Sequence, residues 1–306
     1  MKTVLLAVGD CPSTAYLQGR VRALAEEMLA KLHIYRALYD PMEEMDEYVG
    51  FDNFSLIKKM LLKEERKRIE DLVHSAVKVS ANHSMSRTAG GMEKSIHCVV
   101  EWCKRAPGGI LAYAKHINAD LIVVERTKHS RLKALVHTPD DWNLLRHAEC
   151  PILMLSPFEH SVRAVVAAVN IMNVSESHSK LTARVLENAA VLAEAFGVSL
   201  NVVSVLPISR FGIPTASRIA VGDHLLATLE GKALNNLEKI LMGLGINADE
   251  HQVVAGVVEE ELASKAEEAG LLVIGSVARE GLSGKRLGNT SERVLYQVQS
   301  DVLVVN

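Results

Sequence analysis

The sequence predicts an α/β protein built from two tandem open α/β sandwiches, each with a five-stranded, mainly parallel sheet and helices on both faces. Two observations predict this fold. Continuous apolar runs alternate with amphipathic stretches, which is typical of the strands and helices around a parallel sheet. Segments of the first half also recur in the second half: ADLIVVE (119–125), for example, corresponds to AGLLVIG (269–275). Because 306 residues suffice for two buried cores, we predict domains at 1–157 and 158–306.

The second half shows the order of the elements most clearly. Five apolar runs predict strands that are buried on both faces, at 164–170, 199–205, 250–256, 271–275 and 301–306. Apolar residues at spacings of three and four predict amphipathic helices between these strands, at 179–196, 222–245 and 259–269. The first half repeats this order, but its stretch 39–79 is acidic and then strongly helical. We predict an extended second helix there, and an interaction surface is the alternative.

Composition excludes several classes of function. The chain is 48% apolar and carries a formal net charge of -3, which gives no general attraction to nucleic acid or to anionic membranes. No apolar run approaches the roughly 20 residues that span a bilayer. We therefore expect neither nucleic acid nor a membrane as a partner. The four cysteines form no CxxC pair and the twelve histidines form no HExxH pair, so we predict no metal site and a reducing, cytoplasmic location.

The loop after the fourth strand of the second half is the first candidate site. In open α/β sheets, ligands bind beyond the carboxyl ends of the strands, where the strand order reverses. The fourth strand ends at Gly275, and the next helix begins near Asn289. Glycine at 275 and 288 permits close approaches that a side chain would block. We predict that Asn289 caps the helix and that Glu292 completes a capping box.

The start of this helix has the properties of an anion site. Its free N–H groups and its positive dipole end attract anions, and Lys285 and Arg286 lie just upstream. The pattern therefore predicts a phosphate cradle. The alternative is that the glycines only serve turns and that the two cations are solvated.

The spacing of this loop adds a resemblance to the evidence from single residues. The positions Gly275, Ala278 and Gly288, followed by Asn289 and Thr290, resemble the glycine motif of the universal stress protein family. The tandem form and the helix starts GNTSE and TPDDW resemble that family too, and the resemblance covers essentially the whole chain. Many members bind ATP in this loop. The resemblance therefore implies ATP or another adenine nucleotide as ligand, with magnesium only as a nucleotide-bound ion.

The resemblance also implies roles for residues outside the loop. It places the base-contacting position at Asn170, the adenine-facing position at Val205, and Ile274 just before the first loop glycine. Two departures from the family pattern matter. Asn170 lacks the carboxylate of the family, and Ala278 adds a methyl group beside the phosphates. Where position 278 requires a positive φ, alanine costs about 1 kcal/mol or more.

The first half has lost this motif. The positions of the three loop glycines and of the base contact are occupied by Glu125, Lys128, Thr138 and Gly9. We predict Thr138 as the cap of the next helix and Pro139 as its first residue. Asp140 and Asp141 then place carboxylates at the positive end of that helix, where a phosphate would dock. We therefore predict that the first half binds no ATP.

Two roles are open for the first half. In the first role it is a structural partner of the second half. PILML and DVLVV, the last strands of the two halves, would then pair within one chain and make an intramolecular pseudo-dimer. A homodimer of chains is the alternative. Trp142 is predicted to pack in the core. The alternative is a surface for a protein partner or ligand, formed by Trp142 with the basic residues Lys128, His129, Arg131 and Lys133.

No nucleophile, base and orienting group form a recognisable catalytic set, so we predict no catalytic residues. Ser175 and His178 follow the first strand of the second half, near the expected crevice, and slow ATP hydrolysis is an alternative without an assigned base. Two function classes therefore stay open. One is a nucleotide-responsive stress protein. The other is a nucleotide-independent scaffold that binds another metabolite, an apolar ligand or a protein partner.

Overall fold

The protein forms two compact units in the computed structural model. The structure describes residues 1–9, 15–41, 43–44, 54–81, 96–126, 140–156, 158, 160–173, 175–207, 223–276, 279–281, 284–286 and 288–306. Unit 1 comprises Met1–Pro157 and unit 2 comprises Phe158–Asn306. Each unit is an α/β sandwich on a parallel sheet, which confirms the predicted fold class.

Unit 1 contains five strands and four helices among its described residues. The strands are β1 Thr3–Ala7, β2 Lys31–Leu38, β3 Ile96–Trp102, β4 Leu121–Glu125 and β5 Ile152–Leu155. The helices are α1 Ala15–Glu27, α2 Phe54–Ala81, α3 Ala106–His116 and α4 Asp140–His147. The strands lie in the order β3-β2-β1-β4-β5, and each neighbouring pair is parallel.

Unit 2 repeats this plan and adds a small hairpin. Its strands are β6 Ala164–Ala168, β7 Ser199–Pro207, β8 Glu250–Gly256, β9 Gly270–Gly275, β10 Arg279–Gly281, β11 Gly284–Arg286 and β12 Asp301–Val305. Its helices are α5 Glu176–Phe196, α6 Asp223–Leu244, α7 Val258–Ala269 and α8 Asn289–Gln297. The parallel sheet has the order β12-β9-β6-β7-β8. The antiparallel pair β10–β11 was not predicted.

The sheets are apolar because helices cover both of their faces. In β4, Leu121, Ile122 and Val123 are fully buried, as expected of a central strand in a parallel sheet. Adjacent residues of β2 point to opposite faces: the Arg36 side chain meets α2, and the hydroxyl of Tyr35 lies close to α3. Among the described residues, no helix combines the length and the apolar character needed to cross a membrane.

The predicted extended second helix is α2, and Glu43, which precedes it in the sequence, contacts the end of β3. The indole Nε1 of Trp102, at the end of β3, donates a hydrogen bond to Glu43 Oε2 at 2.7 Å. Lys58 on α2 pairs with the same carboxylate at 3.1 Å and lies 4.8 Å from the centre of the Trp102 ring. These contacts fix Glu43 over the carboxyl end of β3 in unit 1.

Candidate functional site

The strand order of unit 2 reverses between β6 and β9. The chain runs from β6 to β7 and β8 on one side, and then crosses to β9 on the other side of β6. A crevice at the carboxyl ends of β6 and β9 is therefore expected. Ala168 lies opposite both Val203 and Ile274, so in register Asn170 is level with Val205 and Ser276. The topology thus brings the predicted residues Asn170, Val205 and Ile274 to one edge of the sheet.

These three residues differ in exposure. Asn170 is exposed, Val205 is half-buried, and Ile274 is buried within β9. The side-chain Oδ1 of Asn170 accepts a hydrogen bond from the backbone N of Met172 at 3.1 Å, which closes a local turn. Asn170 therefore lies at the crevice edge, and its carbonyl oxygen is engaged within its own loop.

Gly275 is explained by contact within the protein. A Cβ atom at this position would lie 2.8 Å from both Cγ and Cδ2 of Leu181 on α5. Real Cβ contacts almost never come this close, so a side chain at 275 would force Leu181 or the strand to move. The close approach that glycine permits here is made by α5, and no sequence motif indicated Leu181.

The start of α8 differs from the prediction by one residue. Gly288 is the N-cap, with φ -62° and ψ 135°, and Asn289 is the first helical residue. The first helical bond runs from Glu292 N to Gly288 O at 2.9 Å. Glu292 therefore stands one position too late for a capping box, and the N-cap makes no side-chain bond. The predictions of Asn289 as cap and of a capping box are wrong.

Two serines fix the start of α8 instead. Gly288 N donates to Ser276 Oγ at 3.4 Å, and Ser291 Oγ donates to Gly275 O at 2.9 Å. These bonds tie the helix to the end of β9. The backbone N–H groups of Asn289, Thr290 and Ser291 have no acceptor within α8, because the helical ladder begins at Glu292. Asn289 and Thr290 are exposed, so the positive end of α8 is open to solvent.

The loop between β9 and α8 contains the hairpin. Arg279 pairs with Arg286, and Glu280 pairs with Lys285, across β10 and β11. Lys285 and Arg286 therefore lie on a strand, and their predicted role as countercharges to a phosphate stays a prediction. Ala278 lies outside the described residues.

A polar network follows β6. Ser175 Oγ lies 2.9 Å from His178 Nδ1, and Asn173 Nδ2 lies 3.2 Å from His178 Nε2. Asn173 Oδ1 accepts a bond from Ser175 N at 3.1 Å, which sets the direction of the amide. The amide nitrogen of Asn173 therefore donates to Nε2, and Nδ1–H donates to the serine. In this tautomer His178 cannot take a proton from Ser175, so the pair is not arranged as a nucleophile and its base.

The corresponding crevice of unit 1 is lined by charges. Glu125, which stands at the position of Gly275, ends β4, and burial raises the pKa of its carboxyl group. Arg36 is buried near the end of β1: its Nη1 donates to Val8 O at 3.4 Å, and its Nε lies 3.1 Å from Glu65 Oε1. Asp140 and Asp141 begin α4.

The remaining predictions for unit 1 divide between described and undescribed residues. Trp142 is 6% exposed, which supports its predicted role in the core. The other positions lie outside the described residues: Lys128, His129, Arg131, Lys133, Thr138 and Pro139. Within the described ranges, no three His, Cys, Asp or Glu side chains come together as metal ligands would.

Comparison with known proteins identifies the family of this chain. The model of the Universal stress protein family matches residues 1–156 and 169–306. Universal stress protein E of Escherichia coli K12 is 30% identical over 224 residues, covering 69% of this chain and 68% of that protein. A Universal stress protein E homolog of Haemophilus influenzae is 25% identical over 315 residues, covering 99% of this chain and 96% of the homolog.

Two solved structures share the fold over the whole chain. A putative universal stress protein from Pseudomonas aeruginosa superimposes with a TM-score of 0.66 at 23% identity, covering 100% of this chain and 93% of the other. One from Archaeoglobus fulgidus gives a TM-score of 0.57 at 17% identity, with 99% and 96% covered. With one family match in each half, the chain belongs to the universal stress protein family, in its tandem form.

Proposed function

We propose that unit 2 binds an adenine nucleotide, with ATP as the expected ligand, and that unit 1 binds none. The observation that carries this proposal is the exposed start of α8, at Asn289 and Thr290, beside the end of β9. The one acidic residue of the first turn is Glu292, which follows these two residues. A phosphate at this position gains backbone hydrogen bonds and the positive end of the helix dipole.

The crevice edge supports a place for the base. Asn170 and Val205 are level across β6 and β7, and Ile274 lies on the neighbouring strand. In the proposed pose the base lies at this edge and the phosphates reach Gly288, Asn289 and Thr290, passing Ala278. Magnesium enters only as an ion bound to the phosphates.

The proposed role of unit 1 is structural. Glu125 ends β4 where Gly275 ends β9, and α4 begins with Asp140 and Asp141 where α8 begins with Asn289 and Thr290. Acidic residues at these positions in unit 1 would repel a triphosphate. The pairing of the two halves as an intramolecular pseudo-dimer stays a prediction, as does a homodimer of chains.

The proposed activity is binding in the cytoplasm, with partner affinity set by the nucleotide. Hydrolysis is at most slow, because the tautomer of His178 gives Ser175 no base. The second candidate is a nucleotide-independent scaffold for another metabolite, an apolar ligand or a protein. Two observations favour the scaffold. Leu181 occupies the space beside Gly275. Asn170 and Ala278 also depart from the family pattern.

Calorimetric titration with magnesium-ATP tests the proposal with a matched pair of variants. Gly288→Glu places a carboxylate at the mouth of unit 2, and the extended backbone of Gly288 accepts a side chain. Gly9→Glu places the same group in the crevice of unit 1, where a Cβ meets nothing within 4 Å. We expect the wild type and Gly9→Glu to bind and Gly288→Glu to fail.

Three outcomes would count against the proposal. A wild type that takes up no ATP at millimolar concentration supports the scaffold. Loss of binding in Gly9→Glu with retention in Gly288→Glu would place the nucleotide in unit 1. Native mass spectrometry of freshly purified protein would count against ATP if it showed a different bound metabolite.

A further inference from the structure

The position of His178 connects the polar network to the crevice. The buried stripe of α5 includes Thr182 and Val185, and Leu181 packs against Gly275 at the end of β9. His178 precedes Leu181 and Thr182 by three and four residues, so it lies on the same face of the helix, one turn nearer its start. The half-buried imidazole therefore extends the stripe toward the start of α5, which follows the carboxyl end of β6.

The hydrogen bonds around His178 set the donor and acceptor roles of its two ring nitrogens. Asn173 Nδ2 donates to Nε2 at 3.2 Å, and Nδ1–H donates to Ser175 Oγ at 2.9 Å. A proton added at Nε2 would point at the amide donor of Asn173, because the amide oxygen is already bonded to Ser175 N. The imidazolium ring must leave Asn173 and find another acceptor.

The charges around His178 leave room for an added positive charge. On α5, Glu176 and Lys180 are exposed and pair with each other at 2.6 Å. The described ends of β6 and β9 carry no charged side chain. Across the crevice, Glu292 is the first acid of α8, and the following Arg293 lies 3.7 Å from Glu259 on α7.

We propose that nucleotide binding to unit 2 is coupled to proton uptake by His178, an inference that rests on the proposed function. In the free protein the neutral ring accepts from Asn173. When the phosphates arrive, the ring takes one proton from solvent at Nε2, turns from Asn173 and donates that N–H to a phosphate oxygen. The only bond formed is N–H, and the ring gains one positive charge. Binding therefore strengthens as the pH falls.

The first test needs no nucleotide. Nitrogen-15 NMR of the free protein at pH 8 reports which ring nitrogen of His178 carries the proton. We expect the Nδ1–H form in the wild type and a shift toward Nε2–H in Asn173→Ala, which removes the donor to Nε2. An Nε2–H ring in the wild type would overturn the inference and leave the proposed nucleotide site intact.

The second test counts protons during binding. ATP is titrated in buffers of different ionisation enthalpy at pH 7, using the wild type, His178→Gln and His251→Gln. His251 is the control, because this exposed histidine of unit 2 lies on β8, where it is 3.5 Å from Glu238 on α6. Protons exchanged by ATP itself are common to all three proteins and cancel in the differences. We expect the wild type and His251→Gln to take up more protons than His178→Gln.

The affinity should follow the same pattern. A charge-assisted hydrogen bond is worth enough to change Kd about tenfold. We expect His178→Gln to bind about tenfold more weakly than the wild type at pH 6 and equally at pH 8. Binding with equal proton counts and equal affinities in all three proteins would refute the coupling alone. An absence of ATP binding in the wild type would refute the nucleotide proposal and the coupling together.

Discussion

Leu181 and Gly275 are in such close contact that a Cβ on the glycine would lie 2.8 Å from Cγ of the leucine. This contact joins the beginning of α5 to the end of β9. The glycine that resembles part of a nucleotide motif is therefore also required for packing.

Substitution of Gly275 should consequently destabilise unit 2 even without a ligand. We expect Gly275→Ala to cost roughly 1–3 kcal/mol, the usual range for overpacking, and Leu181→Ala to recover part of that loss in the double variant. Native-state hydrogen exchange of the β9 amides measures the change. Gly231→Ala on the exposed face of α6, where a Cβ meets nothing within 4 Å, should raise stability by about 0.5–1 kcal/mol. Equal protection in Gly275→Ala and the wild type would contradict the packing role.

Leu29 should be a site of stored backbone strain. It has a φ of 51°, and it is 90% exposed, so its side chain contributes little packing. The matching turn of unit 2 has Gly197 at φ 64°. We expect Leu29→Gly to stabilise unit 1 by about 1 kcal/mol, because glycine removes the steric cost of the left-handed region. Leu56→Gly, at an exposed position inside α2, should instead cost about 1 kcal/mol.

Tryptophan fluorescence measures the stability of both the Leu29→Gly and the Leu56→Gly variant. The chain has two tryptophans, and both Trp102 and Trp142 lie in unit 1, so denaturant curves read by fluorescence follow that unit. A Leu29→Gly midpoint at or below that of the wild type would show that the turn is not strained.

The pH dependence of unit 1 should include a contribution from His33. Burial, His97 and Lys31 lower the pKa of His33 from its ordinary 6.5, and the ring stacks on His97 with centroids 4.8 Å apart. The folded state then binds fewer protons than the unfolded state once the pH falls below 6.5. The free energy of unfolding should decrease from there until the pH passes the lowered folded pKa.

His33→Gln should flatten that decrease, since glutamine does not titrate and can still bond to Tyr113, whose hydroxyl lies 3.0 Å from His33 Nδ1. Denaturant midpoints at several pH values between 7.5 and roughly 5 provide the measurement. His147→Gln, at an exposed position on α4, is the control and should keep the slope of the wild type. Parallel slopes for His33→Gln and the wild type would rule out this contribution.

The ion pair between Arg36 and Glu65 should be strongly coupled. Their side chains are 8% and 13% exposed, and Nε lies 3.1 Å from Oε1. We expect Glu65→Gln to destabilise unit 1 by roughly 2–4 kcal/mol, because the guanidinium group loses its carboxylate in a poorly solvated site. The double variant Arg36→Met, Glu65→Leu should recover most of this loss. Fluorescence-detected unfolding measures both, and an unchanged midpoint in Glu65→Gln would show that the pair is effectively solvated.

The main strands and helices of unit 2 could be predicted because local composition decides them. The run 250–256 coincides with β8, and 259–269 differs from α7 by one residue. The buried residues of these elements recur with the period of a strand or of a helix, and this periodicity is visible in the sequence. The hairpin β10–β11 was missed because three-residue strands without alternating apolar residues carry no such signal.

The details of the candidate site depended on partners distant in sequence. The start of α8 is fixed by Ser276 and Ser291, and a rule that examines only the four residues around a helix start selects Asn289. The tautomer of His178 follows from a backbone bond to Asn173 that no spacing indicates. The glycine pattern pointed to the end of β9, but it could not show that Leu181 occupies the space beside Gly275.

Both units bring the ends of their first and fourth strands side by side, with Ala7 opposite Val124 in one and Ala168 opposite Ile274 in the other. The duplicated frame is therefore intact on each side, and residues such as Glu125 and Gly275 distinguish the two strand ends. If unit 1 binds no nucleotide, as we propose, its side chains and not its architecture are the cause. Substitutions at these few positions would then make the first half a starting scaffold for engineering a second, independent specificity.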